Sequence, residues 1–163
     1  MINPAAFANS PGPVLRALWD KLHGIPGGKR AFSWAVGTMA PYTGTIGATV
    51  VELGSGYARV ELRDRRKVRN HLKSVHAVAL MNLAELTTGA AMISGLPDGM
   101  RGILAGLSID YIKKARGTLT AECTIDVGES MERREVPVEG IIKNAQGEEV
   151  ARATARWLVG PSK

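Results

Sequence analysis

Disulfide bridges are excluded at once, because the chain of 163 residues carries a single cysteine, Cys123. A lone thiol has no intrachain partner and suits a reducing compartment better than a secreted protein. Aromatic residues are scarce at 5%, which removes the stacking platforms that hold single-stranded nucleic acid. No stretch reaches the roughly 18–20 apolar residues of a membrane span, since Glu85 interrupts the best candidate. The opening MINPAAFANSPGP has no basic start followed by an apolar core, so no signal peptide is expected. No set of His, Cys, Asp and Glu has metal-ligand spacing, and no Gly-rich phosphate loop precedes a helix. The expectation is a cytoplasmic protein without membrane, metal, resident cofactor or nucleic-acid partner.

What is present describes an ordinary folded domain. Hydrophobic residues make up 45% of the chain and charged residues 22%, the balance of a soluble globular protein. The length suits one domain, as domains most often run to roughly 100–150 residues. A formal net charge of +6 is concentrated in Arg63–Arg69 (RDRRKVR) and Lys113–Arg116 (KKAR). Such an excess attracts either nucleic acid or a small phosphorylated ligand. Without interleaved aromatics or a recognisable module, the small ligand is the better reading.

Along the chain, residues 1–13 read as loose. Val14, Leu15, Leu18, Trp19 and Leu22 form one stripe, so Val14–His23 is expected as an amphipathic helix, with Pro13 in its first turn and Gly24 and Pro26 ending it. Ala31–Val36 reads as extended, and Pro41 to Gly44 as a turn. From Thr45 the period becomes two: Thr45–Leu53, a Gly54-Ser55-Gly56 turn and Tyr57–Arg63 predict a β-hairpin. Further strands are expected at Ile103–Ile112 and Thr118–Val127, the second carrying Cys123 on its apolar face. Arg134–Val159 should fold at Asn144–Gly147 into another hairpin. Between the two groups of strands, Ala77–Met92 is apolar on every side of a helical wheel, as befits a helix buried all round. Antiparallel strands with one such helix predict an α+β domain whose sheet curls around the helix. The N-terminal helix and extension would occupy residues 1–44 and the core residues 45–159.

One residue contradicts that helix. Glu85 stands in its middle, with Asn82 one turn before it and Thr88 nearly one turn after, all expected on one face. A carboxylate on a buried helix costs several kcal/mol unless it is paired or its pKa rises. Chemistry is therefore expected there.

Asn70, His76 six residues later and Glu85 nine residues after that stand at the spacing of a known motif. With Ile109–Gly117 (IDYIKKARG) and the closing Gln146–Ala153 (QGEEVARA), this makes residues 45–159 resemble the hotdog acyl-CoA thioesterases. The likeness is to the phenylacetic-acid-pathway type and to DUF4442-like relatives. Ala77 and Val78 replace the motif's two glycines, and Glu85 replaces the commoner Asp. The resemblance implies a hotdog fold, a homodimer, possible pairing of dimers into a tetramer, and hydrolysis of an acyl-CoA or acyl-carrier thioester. It also implies roles: Asn70 orients the carbonyl or the water, His76 positions the loop or contacts the thioester, and Glu85 is base or nucleophile. The Ala77 N–H would hold the thioester oxygen at the helix N-terminus. Arg65, Arg66, Lys67, Lys113, Lys114 and Arg116 are the candidates for coenzyme A phosphates.

Helix geometry adds a constraint of its own. Eight residues separate Ala77 from Glu85, about 12 Å along one helix and about 80° around it. Within one chain they cannot serve one carbonyl, whereas two antiparallel helices could bring Glu85 of one protomer to Ala77 of the other. A homodimer with two composite sites follows. Two alternatives compete with hydrolysis. One is a hotdog hydroxyacyl-thioester dehydratase or hydratase using His71, fourteen residues before Glu85, although the expected glycine and prolines around that histidine are missing. The other is a non-enzymatic protein that only binds acyl-CoA.

Overall fold

The computed structural model describes Phe7 and residues 9–162. Helices α1 (Pro11–Leu22) and α2 (Gly28–Met39) and the single turn α3 (Pro41–Gly44) come first. The hairpin β1 (Thr49–Gly54) and β2 (Tyr57–Leu62), a 3₁₀ turn at Arg66–Val68 and the long helix α4 (Ala77–Gly95) follow. Strands β3 (Met100–Tyr111), β4 (Leu119–Thr124), β5 (Arg134–Lys143) and β6 (Glu149–Pro161) complete the chain. The six strands form an antiparallel sheet in the order β1-β2-β4-β5-β6-β3. The result is the expected α+β hotdog: an open curved sheet wrapped around α4.

Small side chains make the wrapping possible. Ala58, Ala121, Ala151, Ala153 and Ala155 on the inner faces of β2, β4 and β6 are fully buried, which brings the sheet close to the helix. On the helix side, Leu83, Ala84, Ala91 and Met92 are equally inaccessible. By length and hydropathy α4 could cross a bilayer, yet more than half of it is buried inside the molecule. Its apolarity on all sides serves a core that the sheet covers from one side and α1–α3 from the other. Cys123 lies in that core, where burial pushes its thiol up to about 12 and leaves it inert.

Two expectations about the N-terminal part need correction. Residues 11–13 are not loose, for they begin α1 with Pro11 and Gly12 buried; residues 1–6 and 8 of the same expectation lie outside the described residues. A Cβ on Gly12 would come within 2.6 Å of the Leu96 carbonyl oxygen and 2.7 Å of that of Ile93. Glycine therefore lets α1 start against the C-terminal end of α4. Arg16 fixes the contact by donating to the Ser94 and Leu96 carbonyls, which helix geometry leaves open. Ala31–Val36 is helical rather than extended, within α2. Phe32 and Val36 recur one turn apart, and Phe32 meets the Trp19 ring edge-on at 5.0 Å. Tertiary packing outweighs the strand preference of Phe32, Trp34 and Val36.

Candidate active site

The helix start is built from the loop before it. Asn70 Oδ1 accepts hydrogen bonds from the N–H groups of Leu72 (2.9 Å) and Ser74 (3.2 Å) and from the Ser74 hydroxyl (3.2 Å). Those bonds hold a turn in which Lys73 takes φ +56°. His76 is the N-cap of α4, its Nδ1 accepting from the Val78 N–H at 3.1 Å while the ring stays exposed. The backbone N–H of Ala77 has no acceptor among the described residues, and the residue is exposed at the positive end of the helix. One turn of the β3 end reaches the same place, where the Tyr111 hydroxyl donates to the Ala77 carbonyl at 3.0 Å.

Glu85 lies two turns further on, half-buried beside α3. Its Oε2 accepts from the Thr43 hydroxyl at 3.2 Å. Burial raises its carboxyl above the ordinary glutamate range, and the Thr43 hydrogen bond partly opposes that rise. No cation forms an ion pair with it among the described residues. The carboxylate opens on a cavity of about 160 Å³ walled by Phe32, Val36, Met39, Gly89, Ile93 and Trp157. One turn before it, Asn82 is buried and donates to the Tyr42 carbonyl at 3.1 Å, so that α3 is tied to α4 twice. Thr88 does not share this face. Its hydroxyl turns back to the Ala84 carbonyl at 2.9 Å, and its methyl lies under Gly140 of β5.

Asp64 brings the two basic clusters together. It accepts from Arg69 Nε at 2.6 Å and from the Gly117 N–H at 3.0 Å. The Arg69 hydrogen bond is the main reason that its carboxyl is held below the ordinary aspartate range. The loops are further joined by the Val75 N–H on the Ala115 carbonyl (2.8 Å) and by Arg116 on the Leu72 carbonyl (3.4 Å). Lys113 pairs with Glu148 at 2.7 Å. Arg66, Lys67 and Lys114 are exposed and without ion pairs among the described residues. Arg65 points elsewhere and donates to the Ile46 carbonyl at 2.5 Å.

The sequence positions thus form two groups within the chain. Asn70, His76, Ala77 and most of the basic residues surround the start of α4; Glu85 sits apart, in the wall of an apolar cavity. His71 is exposed on the Asn70 turn and makes no hydrogen bond to Glu85. Thr43, the one partner of the Glu85 carboxylate among the described residues, is missed by sequence reasoning: a threonine two residues after a proline in a stretch read as a turn carries no signal of it. No group of His, Cys, Asp and Glu able to hold a metal occurs among the described residues.

The family model of DUF4442, a domain of unknown function, matches residues 28–159. A structural-genomics crystal structure is 30% identical, with a TM-score of 0.78 over 90% of this chain and 98% of the other. A Pseudomonas aeruginosa protein of unknown function, named a probable thioesterase, is 23% identical with a TM-score of 0.69 over 84% and 97% of the two chains. A Bacillus halodurans protein solved with CoA is 30% identical with a TM-score of 0.56, over 62% of this chain and 66% of its own. Among curated proteins none matches.

Proposed function

The chain belongs to the DUF4442 family, and from that premise we propose that it hydrolyses an acyl-CoA thioester to a free acid and CoA. The observation that carries this reading is Glu85, a carboxylate with a raised pKa and no ion pair among the described residues, in the wall of an apolar cavity and oriented by Thr43. A binding protein gains nothing from a carboxylate beside an apolar pocket, whereas a hydrolase needs a base or nucleophile there. The probable-thioesterase and CoA-bound relatives are in keeping with it.

In the proposed reaction the acyl group enters the cavity and the thioester carbonyl stands beside Glu85. Its oxygen accepts the unused Ala77 N–H of the partner protomer, where the α4 dipole favours the charge that develops. Glu85 acts in one of two ways. As a base it takes a proton from water while the water oxygen adds to the carbonyl carbon. As a nucleophile it attacks that carbon and forms an anhydride that water then opens. In the first the C–S bond breaks and the CoA sulfur takes the proton held by Glu85. In the second the sulfur leaves as thiolate as the anhydride forms, and it gains the proton released when water opens the anhydride to the free acid and the Glu85 carboxylate. The composite site requires a homodimer. Apolar surface left bare near the start of α4 and along β3 supports one, Val78 being 52% and Ile103 57% exposed. Asn70 and His76 act by shaping the loop and cap that present Ala77. The dehydratase alternative draws no support from His71.

Free-thiol release from short, long and aromatic acyl-CoAs tests the proposal directly. Wild type should turn over part of the panel, and Glu85→Gln should be slower by about a hundredfold or more, the loss usual for a general base, with the dimer intact. Absence of thiol release from every member would sink it.

A further inference from the structure

A second cavity, of about 790 Å³, adjoins that of Glu85, and Val36, Thr43, Val50 and Leu86 are walls of both. It lies between α2, α3 and the β1–β2 hairpin, within the roughly 300–1,000 Å³ of small-molecule sites. Arg30 of α2 faces it, with Arg63 and Arg65 from the segment after β2; Glu61 is the one carboxylate among the described residues that wall it. Among the described residues none of the three arginines forms an ion pair. Arg65 is nevertheless fixed, by its bond to Ile46 and by lying over Gly47. A Cβ on Gly47 would come within 2.6 Å of Arg65 Nη2, and its φ of +58° is itself a glycine conformation. Trp34 stands on the same rim, 73% exposed.

Unpaired arginines in a groove suit phosphate oxygens, which they meet in bidentate fashion. A bare indole beside them suits the face of a purine. We propose that this groove, built within one chain by the N-terminal helices, binds the phosphorylated nucleotide end of coenzyme A. Its pantetheine arm passes Thr43 and delivers the thioester to Glu85. The inference rests on the acyl-CoA reading, but it moves the phosphates away from the basic residues at the start of α4. There Arg69 and Lys113 are already paired, Arg116 is bound to a carbonyl, and Arg66, Lys67 and Lys114 line neither cavity.

The test compares Arg30→Ala/Arg63→Ala with Lys67→Ala/Lys114→Ala on one acyl group carried by CoA, by 4′-phosphopantetheine or by pantetheine. The arginine variant should raise KM for acyl-CoA about tenfold or more, as expected from lost charged hydrogen bonds, with kcat and acyl-pantetheine hydrolysis nearly unchanged. The lysine variant should change little. The reverse ranking, or an equal loss with acyl-pantetheine, overturns the proposal. An equal rise in KM with acyl-4′-phosphopantetheine overturns the nucleotide assignment, because the groove would then read the single phosphate of a carrier arm. Calorimetric binding of CoA itself keeps the test independent of turnover. If no thioester is cleaved, CoA binding by wild type that weakens in the arginine variant still upholds the groove, and unchanged binding rejects it.

Discussion

Glu85 and Thr43 form the smallest unit on which activity should depend. Both proposed pathways begin with an ionised Glu85, so the rate should fall on the acid side as this carboxylate takes up a proton. Burial already raises its pKa, and the Thr43 hydroxyl lowers it by stabilising the charged form. Thr43→Val removes the hydroxyl at nearly constant shape, so the pKa should rise further and the acid limb should move to higher pH. Activity below the limb falls several-fold, while the plateau above it stays near wild type. Thr43→Ser should restore the limb. A pH profile of kcat/KM measures this, and a uniform loss at every pH would instead mean that Thr43 serves only the packing of α3.

Among elements, α1–α3 do more than cover the sheet. They close the cavity beside Glu85, with Phe32, Val36 and Met39 from α2 opposite Gly89 and Ile93 of α4. Its volume of about 160 Å³ compares with an engineered apolar cavity of about 150 Å³ that admits benzene. An acyl group of about six carbons, or a single ring, is therefore the expected fit. Ile93→Ala lengthens the cavity away from the carboxylate. The ratio of kcat/KM for hexanoyl-CoA to that for decanoyl-CoA should fall about tenfold or more, given that one methylene is worth roughly 1–3 kcal/mol in a hydrophobic pocket. An unchanged ratio would show that acyl chains bind elsewhere.

At the scale of the whole molecule the question is whether two chains share a site. Ala77→Pro removes the proposed oxyanion donor without breaking α4. Proline is favoured at the first position of a helix, and His76 already has the extended backbone (φ −67°, ψ 142°) that a following proline requires. Alone, Ala77→Pro and Glu85→Gln should each be nearly inactive. After mixing and exchange of subunits, half the dimers are mixed and each has one intact composite site. Activity should return to about a quarter of wild type, as two-fold symmetry dictates. No recovery, in a mixture shown to contain mixed dimers, would place Glu85 and its oxyanion donor in the same chain.

Periodicity alone was enough for most of the architecture. The six strands alternate, α4 is apolar on every side, and the spacing of Asn70, His76 and Glu85 carried the family resemblance, because these are local patterns written in neighbouring residues. The elements that differ lie mostly in the N-terminal part: Phe7, Asn9 and residues 11–13 and 31–36 are helical where a loop or a strand is expected, and β1 starts at Thr49 rather than Thr45. There a helix that packs across the molecule takes residues with the composition of a loop or a strand. What only the tertiary structure decided are encounters between distant segments. Thr43 meets Glu85 forty-two residues away, Asp64 joins two basic loops, and Arg30 comes beside Arg63 and Arg65 around one groove. Such pairs leave no periodic trace, since each depends on how α1–α3 fold back over the helix. The half-buried carboxylate is legible because it breaks a pattern; its hydroxyl partner is not, because it breaks none.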